Sequence, residues 1–256
     1  MSERGRGRVV AAVLVTLLAA PLAVLVLQAV ADSWRAPALL PDRLGGRGFE
    51  VAFERAGAGE ALRNSLLVAL ATTAISLVAA WPAARVLGLR RLPRNGLVFL
   101  IVGLPLLMPP YLAGFGLTEW FIRLGIDDSL AGLVLAHVTF ALPYAIVILL
   151  SGFGRHVEAL EEMGRTAGAG PLRRLWLVTL PALAPALAAA ALLSFLVSWS
   201  QYGTSLAVGA GRPTLPIVML PFVRTDPQVA AALALIFLAP CLLALVLVAR
   251  AQRSPL

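Results

Sequence analysis

The stretch HVEALEEMGRTAGAGPLRRLWLVTLPAL, from His156 to Leu183, decides the fold, because it is amphipathic and basic and lies between long apolar runs. Its first part, His156–Ala167, predicts a short helix with acidic residues in its body. The glycines at 168 and 170 permit backbone angles that end a helix, and Pro171 suits the first position of the next helix. That second helix is expected to end at Pro181. The stretch therefore predicts two short helices joined at a glycine, an elbow too polar to cross a membrane.

The composition of the whole chain is apolar enough for a membrane protein. Of its 256 residues, 60% are hydrophobic and 13% are charged, and the mean hydropathy is +0.89. A membrane-spanning helix needs about 20 mostly apolar residues. Six runs meet this length, at residues 9–31, 61–89, 97–118, 130–153, 182–208 and 228–248. Together they predict an all-α membrane protein with six transmembrane helices in a single domain, residues 1–256, with the elbow at 155–181.

Prolines interrupt the third predicted span. Pro105, Pro109 and Pro110 fall inside it, so its helix is expected to be kinked or broken within the membrane. Non-helical backbone is tolerated at that depth only where it faces protein or a water-filled cavity. The break therefore predicts a cavity or a protein interface beside the third span.

The arginines predict the orientation of the chain in the membrane. Thirteen of the 21 basic residues fall on the side that holds the elbow and both termini, and eight fall on the other side. The bias is clearest in the short loop that carries Arg90, Arg91 and Arg94, and short cytoplasmic loops are where this rule works best. The elbow and both termini are therefore predicted to be cytoplasmic. The first apolar run is longer than the roughly 7–15 residues of a signal-peptide core, so an uncleaved span is favoured over a cleaved leader.

Several functions are disfavoured by the sequence. The chain has no Lys, and therefore no phosphate-binding loop ending in Lys-Ser or Lys-Thr, so it is not expected to bind ATP itself. The net charge of +8 comes without a basic stripe of interleaved aromatic residues, so nucleic-acid binding is not expected. Cys241 is single and cannot form an internal disulfide or a metal cluster. No catalytic set can be assembled, and His137 is interpreted as an interhelical hydrogen-bond partner rather than a proton or metal site.

The elbow resembles the EAA loop of the permeases of binding-protein-dependent ABC importers. In that pattern a Glu-Ala-Ala is followed by a glycine six residues after the glutamate, and later by a hydrophobic residue, one spacer and Leu-Pro. The residues that match at the family's spacing are Glu162, Gly168, Val178, Leu180 and Pro181. Met163 and Gly164 replace the two alanines, and only Gly164 keeps the small volume. Weaker similarities lie at Leu62–Leu66 and Pro105–Pro110, so that the resemblance covers residues from about 61 to 250.

The resemblance implies the type I (MetI-like) fold of ABC importer permeases, in which the elbow is a coupling helix that docks on a separate ATPase subunit. It assigns this coupling role to Glu162, Met163, Gly164, Gly168, Ala169, Val178, Leu180 and Pro181. It also implies that ATP and Mg²⁺ bind to the ATPase subunit, so that this chain holds no cofactor and is not an enzyme. The other partners that it implies are a second permease subunit, identical or different, and an extracytoplasmic solute-binding protein at the bacterial inner membrane.

One role within this motif stays open. Glu162 either pairs with a basic residue of the ATPase or pairs with Arg165 or Arg155 of its own chain, and such a surface pair contributes little to stability. The complete motif favours the docking role.

Polar residues in the fifth predicted span are candidates for the solute path. Ser198, Gln201 and Tyr202 are expected to line a path or gate, with Met108 and Pro109 on the opposite wall, because polar groups in a span usually face the interior of the bundle. The alternative is that they form interhelical hydrogen bonds and an interfacial aromatic belt.

The solute is predicted less closely than the class. Residues 199–221 resemble permeases for polyamines, ferric iron and thiamine, and a sugar is the alternative. Rival classes are an ion-coupled secondary transporter, which would need carboxylates in the span centres, and a membrane scaffold that transports nothing.

Overall fold

The computed structural model describes residues 3–35, 37–89, 95–209 and 211–253, with side chains from residue 12 to residue 250 within those ranges except at Asn95. The predicted basic loop with Arg90, Arg91 and Arg94 lies outside the described residues. In the first half of the chain the elements are α1 Glu3–Ala29, β1 Ala31–Ser33, β2 Arg43–Leu44, α2 Arg47–Glu54, α3 Ala58–Leu89, α4 Asn95–Leu107, α5 Pro110–Leu124 and α6 Leu130–Gly152. In the second half they are α7 Arg155–Thr166, α8 Pro171–Arg174, a π-helical turn Leu175–Thr179, α9 Leu180–Trp199, α10 Gly203–Val208, α11 Leu215–Met219, α12 Phe222–Thr225 and α13 Pro227–Arg253.

The number of long apolar helices agrees with the six apolar runs in the sequence. Among the described residues, five helical stretches are long and apolar enough to cross a membrane, and α4 with α5 makes a sixth if that bent pair counts as one span. The axes of α4 and α5 meet at 96°, and Met108 and Pro109 lie between the two helices. The break that the prolines predict in the third span is therefore present, and α5 continues to Leu124, beyond the predicted end at residue 118.

The helix that carries the fifth predicted span has other bounds than the predicted residues 182–208. The helical stretch begins at Pro171 and ends at Trp199, and it passes through Pro181 without a break. The reason is the π-helical turn, in which the N–H of Leu180 donates to the carbonyl of Leu175, five residues earlier. This wider turn relieves the clash of the proline ring with the carbonyl four residues before it. The elbow's second helix therefore continues into the membrane span instead of ending at Pro181.

The chain divides into two compact units. The first consists of residues Met1–Leu62 and Leu215–Pro240. Its strands β1 and β2 pair antiparallel, with Ala31 opposite Leu44. The Arg47 guanidinium donates to both carboxylate oxygens of Asp226, at 2.8 and 2.7 Å, and its backbone N–H donates to Asp32. The segment between the first two predicted spans, residues 32–60, thus contains most of a small hairpin and the helix α2.

The second unit consists of Arg63–Thr214 and Cys241–Leu256. Helices α6 and α9 pack along each other, and a buried cluster joins them to α3 and α7. Its buried members are Ala80, Ala84, Ala145, Ile146, Leu149, Phe153, Val157, Leu183 and Ala190. Small alanines let these helices approach closely, which is how helices associate where lipid removes the hydrophobic driving force.

Candidate functional site at the elbow and the broken spans

The turn of the elbow depends on Gly168. Helix α7 ends at Thr166, and Gly168 has a φ of +79°, the left-handed conformation that glycine adopts without a penalty from a Cβ atom. A Cβ added there would meet nothing within 4 Å. The backbone angle, and not a lack of space, therefore requires glycine at this position. Gly170 then caps α8 and Pro171 lies in its first turn, as the sequence predicts.

Two positions of the EAA-like pattern contact each other. A Cβ added at Gly164 would lie 3.3 Å from the Cγ atom of Arg174 and 3.5 Å from a methyl group of Val178. A small residue at 164 therefore lets the π-helical turn pack against α7. Met163, at the other alanine position, is 67% exposed and takes no part in this contact. Ala169 is partly buried and Pro181 is exposed.

Leu180, the leucine of the Leu-Pro pair, lies on a different surface from the packing of Gly164 against Val178. It lines an apolar cleft of about 340 Å³ together with Leu77, Val78 and Trp81 of α3 and with Leu187 of its own helix. The Leu of the Leu-Pro pair therefore faces the second predicted span.

The base of α7 is fixed to the membrane helices. Val157 is 3% exposed and belongs to the buried cluster, and Phe153, just before the elbow, packs its ring edge-on against Trp81 at 5.2 Å between ring centres. A Cβ added at Gly88 would lie 2.7 Å from the Cβ of Phe153, so α3 and the start of the elbow are in close contact. The elbow is therefore attached to α3 as well as to the two spans that it connects.

The acid with the strongest contacts on the elbow, Glu161, is one that the sequence did not predict. It accepts two hydrogen bonds from the Arg85 guanidinium, at 2.9 and 2.5 Å, and one from the hydroxyl of Thr179 at 2.7 Å. The family pattern points to the neighbouring Glu162 and not to Glu161. The signal that could have found Glu161 is Arg85, an arginine inside a predicted span, since such residues usually have a buried partner.

Glu162 has the intrachain pair that was one of its two predicted roles. Its carboxylate accepts a hydrogen bond from Arg165 at 2.5 Å, and both side chains are more than 60% exposed. Exposed pairs of this kind contribute about 0–1 kcal/mol. Glu162 therefore remains accessible to another protein.

A charged cleft of about 560 Å³ opens beside α7. Its charged lining residues are Arg85, Arg165, Arg174, Glu158, Glu161 and Glu162. Exposed apolar side chains also lie on the elbow and on the π-helical turn, namely Met163, Leu172, Trp176 and Leu177. The surface thus combines both signs of charge with apolar groups that this chain leaves uncovered.

A second cleft lies where the two broken helices approach each other. It has a volume of about 330 Å³ and is lined by Leu106, Met108, Pro110, Phe140, Tyr144, Val197, Ser200 and Gln201. Met108 and Gln201, both predicted for the solute path, are therefore brought together. Pro109 and Tyr202 lie next to lining residues in the chain but are not among them.

Ser198 lies in the core and not on the cleft. It is 3% exposed, and its hydroxyl lies 2.9 Å from His137 Nδ1. The other ring nitrogen, Nε2, lies 3.0 Å from the Ser205 hydroxyl, which itself donates to the carbonyl of Gln201 at 2.6 Å. Since the Ser205 proton is used there, Nε2–H donates to Ser205 and the Ser198 hydroxyl donates to Nδ1. His137 thus bridges α9 and α10 across their break, as the hydrogen-bonding interpretation predicts.

The break between α9 and α10 lets α10 pack against α5. A Cβ added at Gly203 would lie 3.0 Å from the backbone nitrogen of Tyr111, and one at Gly114 would lie 2.6 Å from the Cβ of Ala207. The hydroxyl of Thr118 donates to the carbonyl of Ala207. The contacts place the ends of both broken helices side by side and shape the wall of the second cleft.

Comparison with known proteins assigns the class. Residues 83–254 match the family described as the binding-protein-dependent transport system inner membrane component. The fold is also similar to a chain of a bacterial ABC transporter that imports the acidic polysaccharide alginate, with a TM-score of 0.57 and 16% identity over 97% of this chain and 95% of that one.

Curated relatives agree with this class. A Streptomyces antibioticus protein named as a putative ABC transporter permease is 37% identical over 68% of this chain and 77% of its own length. The molybdenum transport system permease of Mycobacterium tuberculosis is 33% identical over 77% of this chain and 80% of its own. The putrescine transport system permease of Escherichia coli is 31% identical over 70% of each.

The helical bundle, the elbow and these matches define a transport permease of the inner membrane that crosses the bilayer several times. The chain belongs to the family of inner-membrane components of binding-protein-dependent transport systems, and it is an ABC importer permease with the type I fold. Family membership decides against the ion-coupled transporter and the scaffold.

Proposed function

We propose that this chain passes a small solute across the inner membrane, driven by a separate ATPase that docks on the elbow. The observation that carries the proposal is the turn at Gly168 together with the contact of Gly164 and Val178. These residues hold α7 and α8 in one bent, rigid shape. A rigid bend transmits a displacement, whereas a flexible loop would absorb it.

The docking surface consists of exposed groups on the elbow. Glu162 offers a carboxylate, and Met163 and Leu172 offer apolar side chains that are open to solvent. An apolar centre with charges at its rim is typical of protein interfaces. ATP and Mg²⁺ would bind to the ATPase, and the elbow with both termini would lie in the cytoplasm, as the arginine distribution predicts.

The transport path requires a second permease subunit, either a copy of this chain or a related one. Large apolar side chains of α5, including Leu112, Phe115 and Trp120, are exposed, and α5 begins at Pro110 in the lining of the second cleft. A partner permease would cover them and close the open side of the path. A binding protein would deliver the solute from outside, in accordance with the family to which the chain belongs.

The solute that we propose to test first is a small oxyanion. Relatives are named for molybdenum, which is an oxyanion in water, and for putrescine, a member of the polyamine group that the sequence predicts. The described lining of the second cleft offers the hydroxyl of Tyr144 and the amide of Gln201, and it carries no carboxylate that would hold a diamine. These donors can serve molybdate oxygens; the relatives named for molybdate or molybdenum place molybdate first, and the relative named for putrescine makes that diamine the second candidate. Ferric iron, thiamine and sugars remain arms of the same screen.

The experiment is uptake by the assembled importer in proteoliposomes, with ATP supplied on the ATPase side. Radiolabelled molybdate, putrescine, ferric iron, thiamine and maltose are offered with the cognate binding protein. We expect ATP-dependent accumulation of one of these solutes. Accumulation that proceeds without ATP or without the ATPase would refute the proposal.

The docking role is tested at Gly168, where a side chain has open space in this chain. Gly168→Glu should leave membrane insertion intact and abolish ATPase association and uptake. Gly168→Asn is the matched control, because Asn tolerates the left-handed conformation and adds no charge. Normal ATPase association of Gly168→Glu would contradict docking at the elbow.

A further inference from the structure

We propose that Glu161, and not its neighbour Glu162, is the residue through which movement of the elbow reaches two membrane helices. Arg85 of α3 and Thr179 of the π-helical turn are the positioning residues that receive this movement. The inference rests on the proposed function, because it assigns the mechanical link of an elbow that an ATPase moves.

The two adjacent glutamates lie on different faces of α7. Glu161 follows the buried Val157 by four residues, so both lie on the face that packs against the membrane helices. Glu158 and Glu162 are also four residues apart, and they lie on the exposed face. One glutamate is therefore directed into the protein, whereas the other is available to a partner.

Glu161 makes three contacts with two separate helical stretches. Its two oxygens accept both hydrogen bonds of the Arg85 fork, and Oε1 also accepts the hydroxyl proton of Thr179. The Glu161 side chain is 16% exposed and that of Arg85 is 40% exposed, so this pair is less screened by water than the pair of Glu162 with Arg165. Bidentate pairs between arginine and carboxylate fix geometry as well as charge.

Because of its position, Thr179 lets the contact with Glu161 transmit movement of α7 as well as stabilise the fold. Thr179 is 1% exposed and is the last residue of the π-helical turn, directly before α9. Arg85 lies one turn before the end of α3, close to where Gly88 meets Phe153. When α7 moves, Glu161 would therefore displace the ends of α3 and α9 together, and the two spans would move as one body.

Glutamine at 161 would break this link and leave most of the packing in place. It has one acceptor oxygen, so the negative charge and one of the two parallel hydrogen bonds from Arg85 are lost while the volume is kept, and its amide N–H groups face an Arg85 donor. We expect that ATPase association is unchanged, that ATP is still hydrolysed, and that the solute moved per ATP falls about tenfold, within the range of coupling free energies between sites. Thr179→Val, which removes only the hydroxyl, should lower the same ratio by a smaller factor, and Thr179→Ser should restore it.

The matched controls remove the same charge elsewhere on α7. Glu162→Gln should weaken ATPase association and leave the ratio of solute to ATP unchanged. Glu158→Gln, on the exposed face of the same cleft, should leave the ratio unchanged. Exchange of the partners, Arg85→Glu with Glu161→Arg, should recover part of the ratio that either single exchange loses.

The measurement is the number of labelled solute molecules taken up per ATP hydrolysed, in proteoliposomes that contain the complete importer and the solute that the uptake screen identifies. A wild-type ratio from Glu161→Gln, or equal loss of the ratio in Glu161→Gln and Glu162→Gln, overturns the inference. If Glu161→Gln does not accumulate in the membrane, the valine and serine variants at position 179 serve as the test, and identical ratios for these two overturn the inference. Failure of the proposed function is distinct, because the wild-type importer would then show no ATP-dependent uptake.

Discussion

The bridge formed by His137 gives a prediction whose sign can be derived from the contacts. His137→Phe removes both ring nitrogens and keeps an aromatic ring of similar size. Two hydrogen bonds are lost, one to Ser198 and one to Ser205. Ser205 keeps its bond to the carbonyl of Gln201, whereas the described contacts of Ser198 give its hydroxyl no second partner.

The magnitude follows from hydrogen bonds measured between membrane helices, which contribute about 0.6 kcal/mol on average and at most about 1.7 kcal/mol each. Two bonds give a loss of about 1–3 kcal/mol in the free energy of unfolding. A buried hydroxyl without a partner adds about 1–3 kcal/mol. Ser198→Ala should therefore destabilise the wild-type protein, but it should be neutral or stabilising in the His137→Phe background.

The assay is a double-mutant cycle on the purified chain in bicelles, with the free energy of unfolding measured for each variant. The cycle isolates the interaction between His137 and Ser198. Ser200→Ala is the matched control, because the Ser200 hydroxyl bonds to Leu196 in its own helix. The coupling of Ser200 to His137 should be close to zero.

One result would refute this reasoning directly. If Ser198→Ala costs the same free energy with His137 as with Phe at that position, the two side chains do not interact. His137 would then act only as a space-filling ring, and the break between α9 and α10 would be held by packing alone.

Three further predictions concern backbone and surface. Gly168→Ala should cost about 1 kcal/mol in the free energy of unfolding because of its left-handed conformation, and Gly168→Asn should cost less; equal costs would mean that the turn adopts another conformation. Gly114→Ala should lower the melting temperature although alanine favours helix, because the new Cβ would lie 2.6 Å from the Ala207 side chain of α10. Gly116→Ala is the control: its Cβ would meet nothing within 4 Å, so the melting temperature should stay unchanged or rise. Asp226→Asn, which breaks the half-exposed pair with Arg47, should cost about 1 kcal/mol or less, and the loss should shrink in high salt during chemical unfolding.

The number of spans and the break in the third span could be predicted because composition and proline act locally. The helix through Pro181 could not, since a π-helical turn is a tertiary accommodation that leaves no separate pattern in the sequence. The end of helix α9 at Trp199 could not be predicted for a related reason. Apolar residues follow the break in α10, so hydropathy alone continues to Val208.

The shape of the elbow could be predicted, whereas its internal contacts could not. Glycine permits a positive φ and proline fixes φ at about −65°, so the sequence alone predicts the turn at Gly168 and the helix start at Pro171. The choice between Glu161 and Glu162 depends on which face of α7 packs inward, and this requires the positions of α3 and α9. Of the residues predicted for a solute path, Gln201 lines the second cleft and Ser198 does not, because the chain turns between them at the end of α9.

The uninterrupted rod from Pro171 to Trp199 has a geometric consequence. Its 29 residues extend about 43 Å at about 1.5 Å per residue. A tilt of about 10° at one end would carry the other end sideways by about 7 Å, more than the width of a water molecule or a small ion, given that length. If an ATPase docks on the elbow as we propose, a small tilt at Pro171 would thus become a larger displacement at the far end of the rod, next to Gln201, and no segment in between would need to unfold.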